Sequence, residues 1–252
     1  MLLSTQRRLS RQKMLSLLEE LGASSSPISS LYFPPGLSLP EIEKIVRTVF
    51  SPEEVLTDLL RMISRSPTGA VLFWGEEHKY LVLPPFLIAE KWVSSTCEVE
   101  PLRSLLQREY TVALILVRLG TYAIGVFQGE RLLSSKVGTG LVHSRHRQGG
   151  SSAHRFERHR EKQMESFFSR ICAHAREQLE PHARQLDFLI YGGTPETLLA
   201  FRKQCRYLHE FDGRTLGLLL NVREPKQATL ETAIGEAWAS RVTQWHEEGV
   251  SD

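Results

Sequence analysis

The sequence predicts an α+β (α/β) protein, in which a mixed sheet with an antiparallel meander is covered by helices and a small α+β module precedes it. Thr111–Val117 is a short, almost continuous apolar run, which is typical of a strand buried on both faces. After residue 154, apolar residues recur every three or four positions and predict a long helix. Three strands come first and later strands alternate with helices, as in mixed sheets.

Composition limits the class of protein. The 252 residues are 41% apolar and 24% charged with a net charge of +2, as in a globular protein that is not a general polyelectrolyte. The three cysteines are isolated, which favours a reducing compartment and argues against a disulfide framework or a cysteine zinc site. No apolar run reaches the roughly 18 residues of a membrane span and no secretory signal is recognisable, so we expect a cytoplasmic protein without a membrane partner.

Residues 1–100 are expected to form the N-terminal helical or α+β module. Its first 21 residues show the helical spacing of Met14, Leu17, Leu18 and Leu21, and residues 23–38 have the Ser/Pro-rich composition of a linker. The remaining predicted elements are a helix after Ser38, a helix capped by Ser51, and a hairpin of Ala70–Trp74 with Tyr80–Leu83.

Residues 105–252 are expected to form the second domain. It opens with the antiparallel meander and continues with helices and strands in alternation. The predicted elements are strands Thr111–Val117, Thr121–Phe127 and Arg131–Val137, a helix His154–Leu179, a strand Phe188–Tyr191, a helix from Thr194, a strand Leu216–Val222 and a terminal helix Ala228–Trp245.

The segment from His143 to Lys162 concentrates positive charge. It holds six Arg or Lys and four His residues around Gly149-Gly150, against two Glu. A glycine pair flanked by cations suits a mobile loop that approaches a polyanion closely. We therefore predict a basic Gly-Gly loop at 143–156, carried on the long helix, with RNA as the first candidate ligand.

Two sets of candidate residues follow from this segment. The RNA-binding candidates are Arg145, Arg147, Arg155, Arg158, Arg160 and Lys162, and the catalytic candidates are Gln148, Gly149, Gly150, Ser151, Ser152 and His154. A solvated, charge-rich helix start is the alternative for the cations, and helix capping is the alternative for the serines. The histidines lack metal-site spacing, so no metal and no cofactor are expected.

Four motifs between about residues 110 and 222 together resemble the Vms/Ankzf-type release-factor domain, the bacterial branch in particular. They are Thr121-Tyr122-Ala123-x-Gly125, Lys136-Val137-Gly138, Gly149-Gly150 and Arg155-Phe156-x-Arg158-x-Arg160. That domain is related to the central domain of the eukaryotic and archaeal class-one termination factor.

The resemblance implies an RNase H-like, release-factor central-domain fold. It also implies that the loop enters the peptidyl-transferase centre and helps water to attack the peptidyl-tRNA ester, in ribosome rescue or quality control. The implied partners are the large ribosomal subunit, its rRNA and peptidyl-tRNA.

The chain departs from the family pattern at the loop. The bacterial branch usually reads Gly-Gly-x-Ser-Gln, which places glutamine at position 153, but Ala153 stands there; the eukaryotic spacing falls on Ser152. Gln148, before the glycines, is the nearby glutamine that can substitute.

Four functions remain open. They are ester hydrolysis, a ribosome or tRNA binder that has lost catalysis, a nuclease cutting the tRNA acceptor end and, last, a general basic interaction module. The nuclease would need clustered carboxylates with magnesium. This segment offers only Glu157 and Glu161, so the nuclease ranks third. A homodimer through the first helix is a further hypothesis.

Overall fold

A computed structural model describes residues 2–49, 56–142 and 151–247 of the chain. The described elements, in chain order, are β1 (Leu2–Leu9), α1 (Arg11–Ala23), β2 (Ile28–Phe33), α2 (Leu39–Val46), α3 (Leu56–Ser64), β3 (Ala70–Gly75), β4 (Lys79–Leu83), β5 (Trp92–Ser94), α4 (Glu100–Gln107), β6 (Thr111–Arg118), β7 (Thr121–Gln128), β8 (Arg131–Thr139), α5 (Ser151–Leu179), β9 (Phe188–Gly193), α6 (Pro195–Gln204), β10 (Thr215–Leu220), α7 (Gln227–Ala237) and β11 (Ser240–Glu247). Short 3₁₀ helices span Glu180–His182 and Arg206–Arg214.

The chain folds into two units. Unit 1 combines Met1–Arg108 with Trp238–Asp252, and unit 2 is Glu109–Ala237. The expected second domain, 105–252, therefore differs from unit 2 at its C-terminal end, because the last strand belongs to unit 1. Within the described ranges, none of the helices has both the length and the apolarity that a membrane crossing requires.

Unit 1 is a six-stranded sheet in the order β1-β11-β4-β3-β2-β5. Successive side chains of a strand point to opposite faces, so each face can bury its own set of apolar residues. On one face, Val71 and Phe73 pack with α1 and α4; on the other, Ala70 and Leu72 pack with α2 and α3. The unit is thus a sheet covered by helices on both sides.

Three expectations for unit 1 and its C-terminal strand are wrong in part. Residues 2–9 form a strand before the helix, the predicted linker 23–38 contains β2, and the predicted terminal helix 228–245 ends at Ala237 and gives way to β11. All three strands are paired with segments remote in sequence, as in the antiparallel pairing of β1 with β11. Local periodicity does not report such pairing.

Other expectations for unit 1 are confirmed. The stripe of α1 that includes Met14 and Leu18 is buried within the unit, so α1 does not offer it to a second copy. The helix α2 begins after Ser38, whose backbone N–H donates to the Glu41 carboxylate at 2.9 Å. The hairpin forms as β3 and β4. The Ser51 cap lies outside the described residues, and a homodimer stays a prediction.

Unit 2 confirms the predicted mixed sheet. Its five strands have the order β10-β9-β6-β7-β8, in which β6, β7 and β8 form the antiparallel meander and β9 and β10 join in parallel. Parallel neighbours require crossover connections, which α5 and α6 supply. Both helices contribute to the core on one face of the sheet, and α7 packs on the other, where Leu230 faces Gly125.

A disulfide in unit 2 corrects the cysteine prediction. Cys172 on α5 and Cys205 after α6 are bonded, with a Cα–Cα distance of 5.4 Å and a sequence separation of 33. The positions of the cysteines in the sequence do not indicate this disulfide, because only the packing of α5 beside α6 brings Cys172 and Cys205 together. Cys97, in unit 1, is free.

Candidate nucleic-acid interface

The first half of α5 extends beyond the core of unit 2. No described side chain from Arg155 to Ser166 is buried, and Phe167 is the first side chain of the helix that the structure describes as buried. At a rise of about 1.5 Å per residue, the 16 residues from Ser151 to Ser166 span about 24 Å. We call this segment, residues 151–166, the stalk. The helix starts earlier than predicted, so residues 151–156 of the expected loop are helical.

One face of the stalk carries positive charge. Arg155, Arg158, His159 and Lys162 line a single open recess of about 600 Å³. Their spacing of three, four and seven residues places them on one side of an α-helix. We call these four residues the cationic stripe.

The stripe opposes the electrostatic preferences of its own helix. The helix N-terminus carries partial positive charge, which favours acidic residues, yet the first turn of α5 contains none. Like charges at these spacings each cost a further ~0.2–0.5 kcal/mol. Among the described residues, Arg155, Arg158 and Lys162 form no ion pair. A helix that accumulates uncompensated cations at its positive end is suited to hold an anion.

Arg160 and Glu157 lie away from the stripe. At about 100° per residue, Arg160 is rotated by about 140° from Arg155, and Glu157 by about 200°. Glu161, in contrast, lies three residues after Arg158 and therefore borders the stripe on the helix surface. Arg160 is separated from the other predicted RNA-binding residues on α5.

The predicted catalytic residues are described only in part. Ser151, Ser152 and His154 lie in the first turn of α5, so Ser152 is inside the helix rather than at its cap. The other candidates, Arg145, Arg147, Gln148, Gly149 and Gly150, lie outside the described residues. Their roles stay predictions. Within the described ranges, no group of three or more His, Cys, Asp or Glu residues could hold a metal ion.

A second recess adjoins the cationic stripe and includes residues that the sequence did not indicate. Lys162 also borders a groove between α5 and α6, whose other lining residues are Glu165, Ser166, Ser169, Ala200, Lys203 and Gln204. The Gln204 side-chain amide donates to the Glu165 carbonyl and to the Ser169 hydroxyl, both at 2.7 Å. Lys203 thus lies near the stripe although 41 residues separate it from Lys162. Only the packing of the two helices reveals this.

The fold and the stripe define a mixed-sheet domain with a projecting basic helix, and comparison with known proteins identifies its family. Residues 110–243 match the model of acVLRF1, the Actinobacteria/chloroflexi VLRF1 release factor. This match covers more than half of the chain, so the chain belongs to that release-factor family. The resemblance drawn from the sequence motifs is confirmed.

Curated relatives include archaeal termination proteins. Peptide chain release factor subunit 1 of Archaeoglobus fulgidus is 24% identical over 234 residues, covering 82% of this chain and 58% of that protein. The protein of the same name from Aeropyrum pernix is 27% identical over 205 residues, covering 70% and 55%. The chain thus spans somewhat more than half the length of these relatives.

The solved structures that align with the chain do so with low similarity scores. An archaeal translation termination factor, aRF1, aligns with a TM-score of 0.39 and 22% identity, covering 91% of this chain and 73% of that one. The Vms1 mitochondrial localization core aligns with a TM-score of 0.43 and 13% identity, covering 73% and 80%.

Proposed function

We propose that this protein is a ribosome-associated factor of the release-factor type that hydrolyses the peptidyl-tRNA ester and frees the nascent chain, in ribosome rescue or quality control. Its partners in this proposal are the large ribosomal subunit, its rRNA and peptidyl-tRNA. The observation that carries the proposal is the cationic stripe on a projecting helix, directly after the basic Gly-Gly segment, in a chain of a release-factor family.

The stripe suits RNA because phosphate oxygens complement its charge. Three permanently charged side chains on one face of the stalk can contact successive phosphates, and such contacts release condensed counterions. Binding of phosphate would also offset the repulsion among Arg155, Arg158 and Lys162. In the absence of a bound anion, the cluster of like charges lowers the stability of the helix. Binding of RNA phosphate gives a reason for that cluster.

The stalk gives the loop its reach. Its length of about 24 Å allows a segment at its tip to act away from the core of unit 2. Ester hydrolysis at that point requires a group that orients water and donors that stabilise the oxyanion. Gln148 and the backbone N–H groups of Gly149-Gly150 are the residues that we propose for these roles.

Ala153 favours a second candidate function. At the position where the bacterial pattern has glutamine, an alanine methyl group can neither orient water nor donate a hydrogen bond. A protein that keeps the stripe but has lost catalysis would bind ribosomes or tRNA without releasing peptide. We rank this binder second. A nuclease acting on the tRNA acceptor end ranks third and is distinguished by the state of the tRNA.

Release from stalled bacterial ribosomes tests the proposal. Ribosomes carrying a labelled peptidyl-tRNA are incubated with wild type, Gln148→Ala, or the double variant Gly149→Ala/Gly150→Ala, and both peptide and tRNA are resolved on gels. We expect free peptide and intact tRNA with wild type, and loss of release with the glycine variant. Bound wild-type protein with the ester intact would establish the binder instead, and shortened tRNA would establish the nuclease.

A matched pair of variants tests the stripe. Arg155→Gln/Arg158→Gln/Lys162→Gln removes its three permanent charges, and Arg184→Gln/Arg206→Gln/Arg223→Gln removes three exposed charges elsewhere on unit 2. We expect the stripe variant to bind ribosomes more weakly and to reduce the slope of log affinity against log salt by about two to three, whereas the control variant keeps the wild-type slope. Equal effects of both variants would contradict a localised interface.

A further inference from the structure

The end of β8, where the chain leaves the sheet toward the basic loop, is held closely against α5. The register pairs Gly138 with Tyr122 and Thr139 with Thr121, and the Gly140 N–H donates to the Gly120 carbonyl at 2.9 Å. β8 is the edge strand of its sheet, with β7 as its one neighbour in the sheet order. An edge strand needs additional contacts to fix its end, and α5 supplies them.

Two glycines let aromatic rings approach the backbone of this segment. A Cβ atom at Gly138 would lie 2.3 Å from the Tyr122 hydroxyl oxygen, and one at Gly140 would lie 2.4 Å from Cδ2 of Phe167. Any larger residue would displace these rings. The two rings also pack edge to face, with centroids 5.9 Å apart. Close approach of aromatic rings is the physical reason for glycine at these two positions.

Polar contacts complete the arrangement. The Arg170 guanidinium donates to the Thr139 carbonyl at 3.1 Å, and the Tyr122 hydroxyl is 2.5 Å from Nδ1 of His174. Burial raises the pKa of the Tyr122 hydroxyl, so it stays protonated at neutral pH and can donate to the imidazole. Phe167, Arg170 and His174 are spaced by three and four residues and therefore lie on one face of α5.

We propose that Tyr122, Phe167, Arg170 and His174 form an anchor that fixes residues 138–142 on α5, so that the basic loop starts from a defined point beside the stalk. These are positioning residues, because they act through the chain segment that they hold. Val142, the last described residue before the loop, also packs against the core cluster to which Phe167 belongs. The consequence for activity rests on the proposed function, whereas the anchor itself does not.

The anchor is expected to affect the reaction step rather than binding. Misplacement of a reacting group by about 1 Å can lower a rate by about 100-fold, although the contacts that provide affinity are unchanged. We assign the cationic stripe to binding. Its residue nearest the anchor in sequence, Lys162, is separated from Phe167 by four residues. Loosening of the anchor should therefore lower kcat for release and leave ribosome affinity unchanged.

The main test uses Gly140→Ala, with Gly213→Ala as the matched control. A Cβ at Gly140 meets the Phe167 ring, whereas a Cβ at Gly213 meets nothing within 4 Å. We expect Gly140→Ala to lower kcat for peptide release by about 100-fold with KM near the wild-type value, and to speed amide hydrogen exchange in residues 138–142. Gly213→Ala should match wild type in both. Unchanged exchange and release in Gly140→Ala would overturn the anchor.

Two further variants keep the test decisive. Phe167→Leu added to Gly140→Ala removes ring atoms from the contact, so part of the lost rate should return; no recovery would contradict the assigned contact. If Gly140→Ala does not fold, Tyr122→Phe removes only the hydroxyl that reaches His174. We expect it to speed exchange at 138–142, and wild-type exchange in a folded Tyr122→Phe protein would remove that hydrogen bond from the anchor.

Failure of the proposed function gives a different result. If wild type releases no peptide, the position of the loop is measured by crosslinking instead. A photocrosslinking amino acid is placed at position 148, and its RNA crosslinks are mapped on ribosome-bound protein. An anchored loop should crosslink to one RNA site in wild type and in Gly213→Ala, and to several sites in Gly140→Ala. The same crosslinks in all three proteins would overturn the anchor.

Discussion

The two halves of α5 differ in almost every property although they form one continuous helix. From Phe167 onward, the helix buries an apolar stripe in unit 2, formed by Phe167, Phe168, Ile171, Ala175 and Leu179. Before Phe167, no described side chain is buried and the cations gather on one face. The second half follows the rules of a stable core, whereas the first half departs from them. Such a departure points to function rather than stability.

The largest expected difference between the halves is in stability. Ile171 is fully buried, and Ile171→Ala should lower the free energy of unfolding by about 4 kcal/mol, since methylene groups are lost and a cavity remains. Arg158→Ala, on the exposed stalk, should change it by less than about 0.5 kcal/mol. Urea unfolding of both variants measures the contrast. Similar losses would mean that the stalk packs against other parts of the protein.

The disulfide belongs to the buried half. It should contribute nearly as much to the free energy of unfolding as the Ile171 side chain does. Cys172 and Cys205 close a loop with a sequence separation of 33, for which chain entropy predicts about 3.7 kcal/mol. Cys172→Ser should therefore unfold at lower urea concentration than wild type under non-reducing conditions. With excess reductant the two proteins should become alike. A difference that persists in reductant would show that the loss comes from packing at Cys172 instead.

Met164 marks the boundary between the halves. It is partly buried and packs against the core at the point where the stalk begins to leave it. Met164→Ala should cost about 1 kcal/mol, between the values for Ile171 and Arg158, because only part of its side chain is removed from water. Thermal unfolding monitored by circular dichroism is sufficient to detect this. If Met164→Ala lowered the free energy of unfolding as much as Ile171→Ala, the boundary between the two halves of α5 would lie closer to the N-terminal end of the helix.

The smallest expected change in the free energy of unfolding is an increase, in contrast to the losses described above. Arg155→Glu places an acidic residue near the positive end of α5, so it should raise the free energy of unfolding by about 0.3–1 kcal/mol at low salt. The same substitution should weaken ribosome binding, because it reverses a charge of the stripe. Urea unfolding and binding are measured on one preparation. A variant that loses both stability and affinity would contradict the functional interpretation of the stripe.

The sequence predicted what local patterns encode. The buried stripe of α5 and the meander β6-β7-β8 were recognisable from spacing and apolar runs. The role of the glycine pair and its cations stays a prediction. The N-terminal boundary of α5 was less accurate, because a basic, glycine-flanked helix start resembles a loop in composition.

Features that depend on remote partners were missed. β2 lies in a Ser-rich segment that resembles a linker, yet Ser30 is fully buried because its hydroxyl donates to the Thr96 carbonyl and accepts from the Glu98 N–H. β1 and β11 pair across more than 200 residues, and Cys172 meets Cys205 only through helix packing. The anchor likewise depends on Gly138 and Gly140 facing rings from other elements.

The pairing of β1 with β11 has a consequence for the order in which the protein is made. Unit 2 is inserted between the two parts of unit 1, so the ribosome completes residues 109–237 before it adds the strand that lies between β1 and β4. During synthesis, unit 2 can form its whole sheet while the earlier part of the chain still has two unpaired strand edges. β1 therefore completes its pairing only after unit 2 has been made.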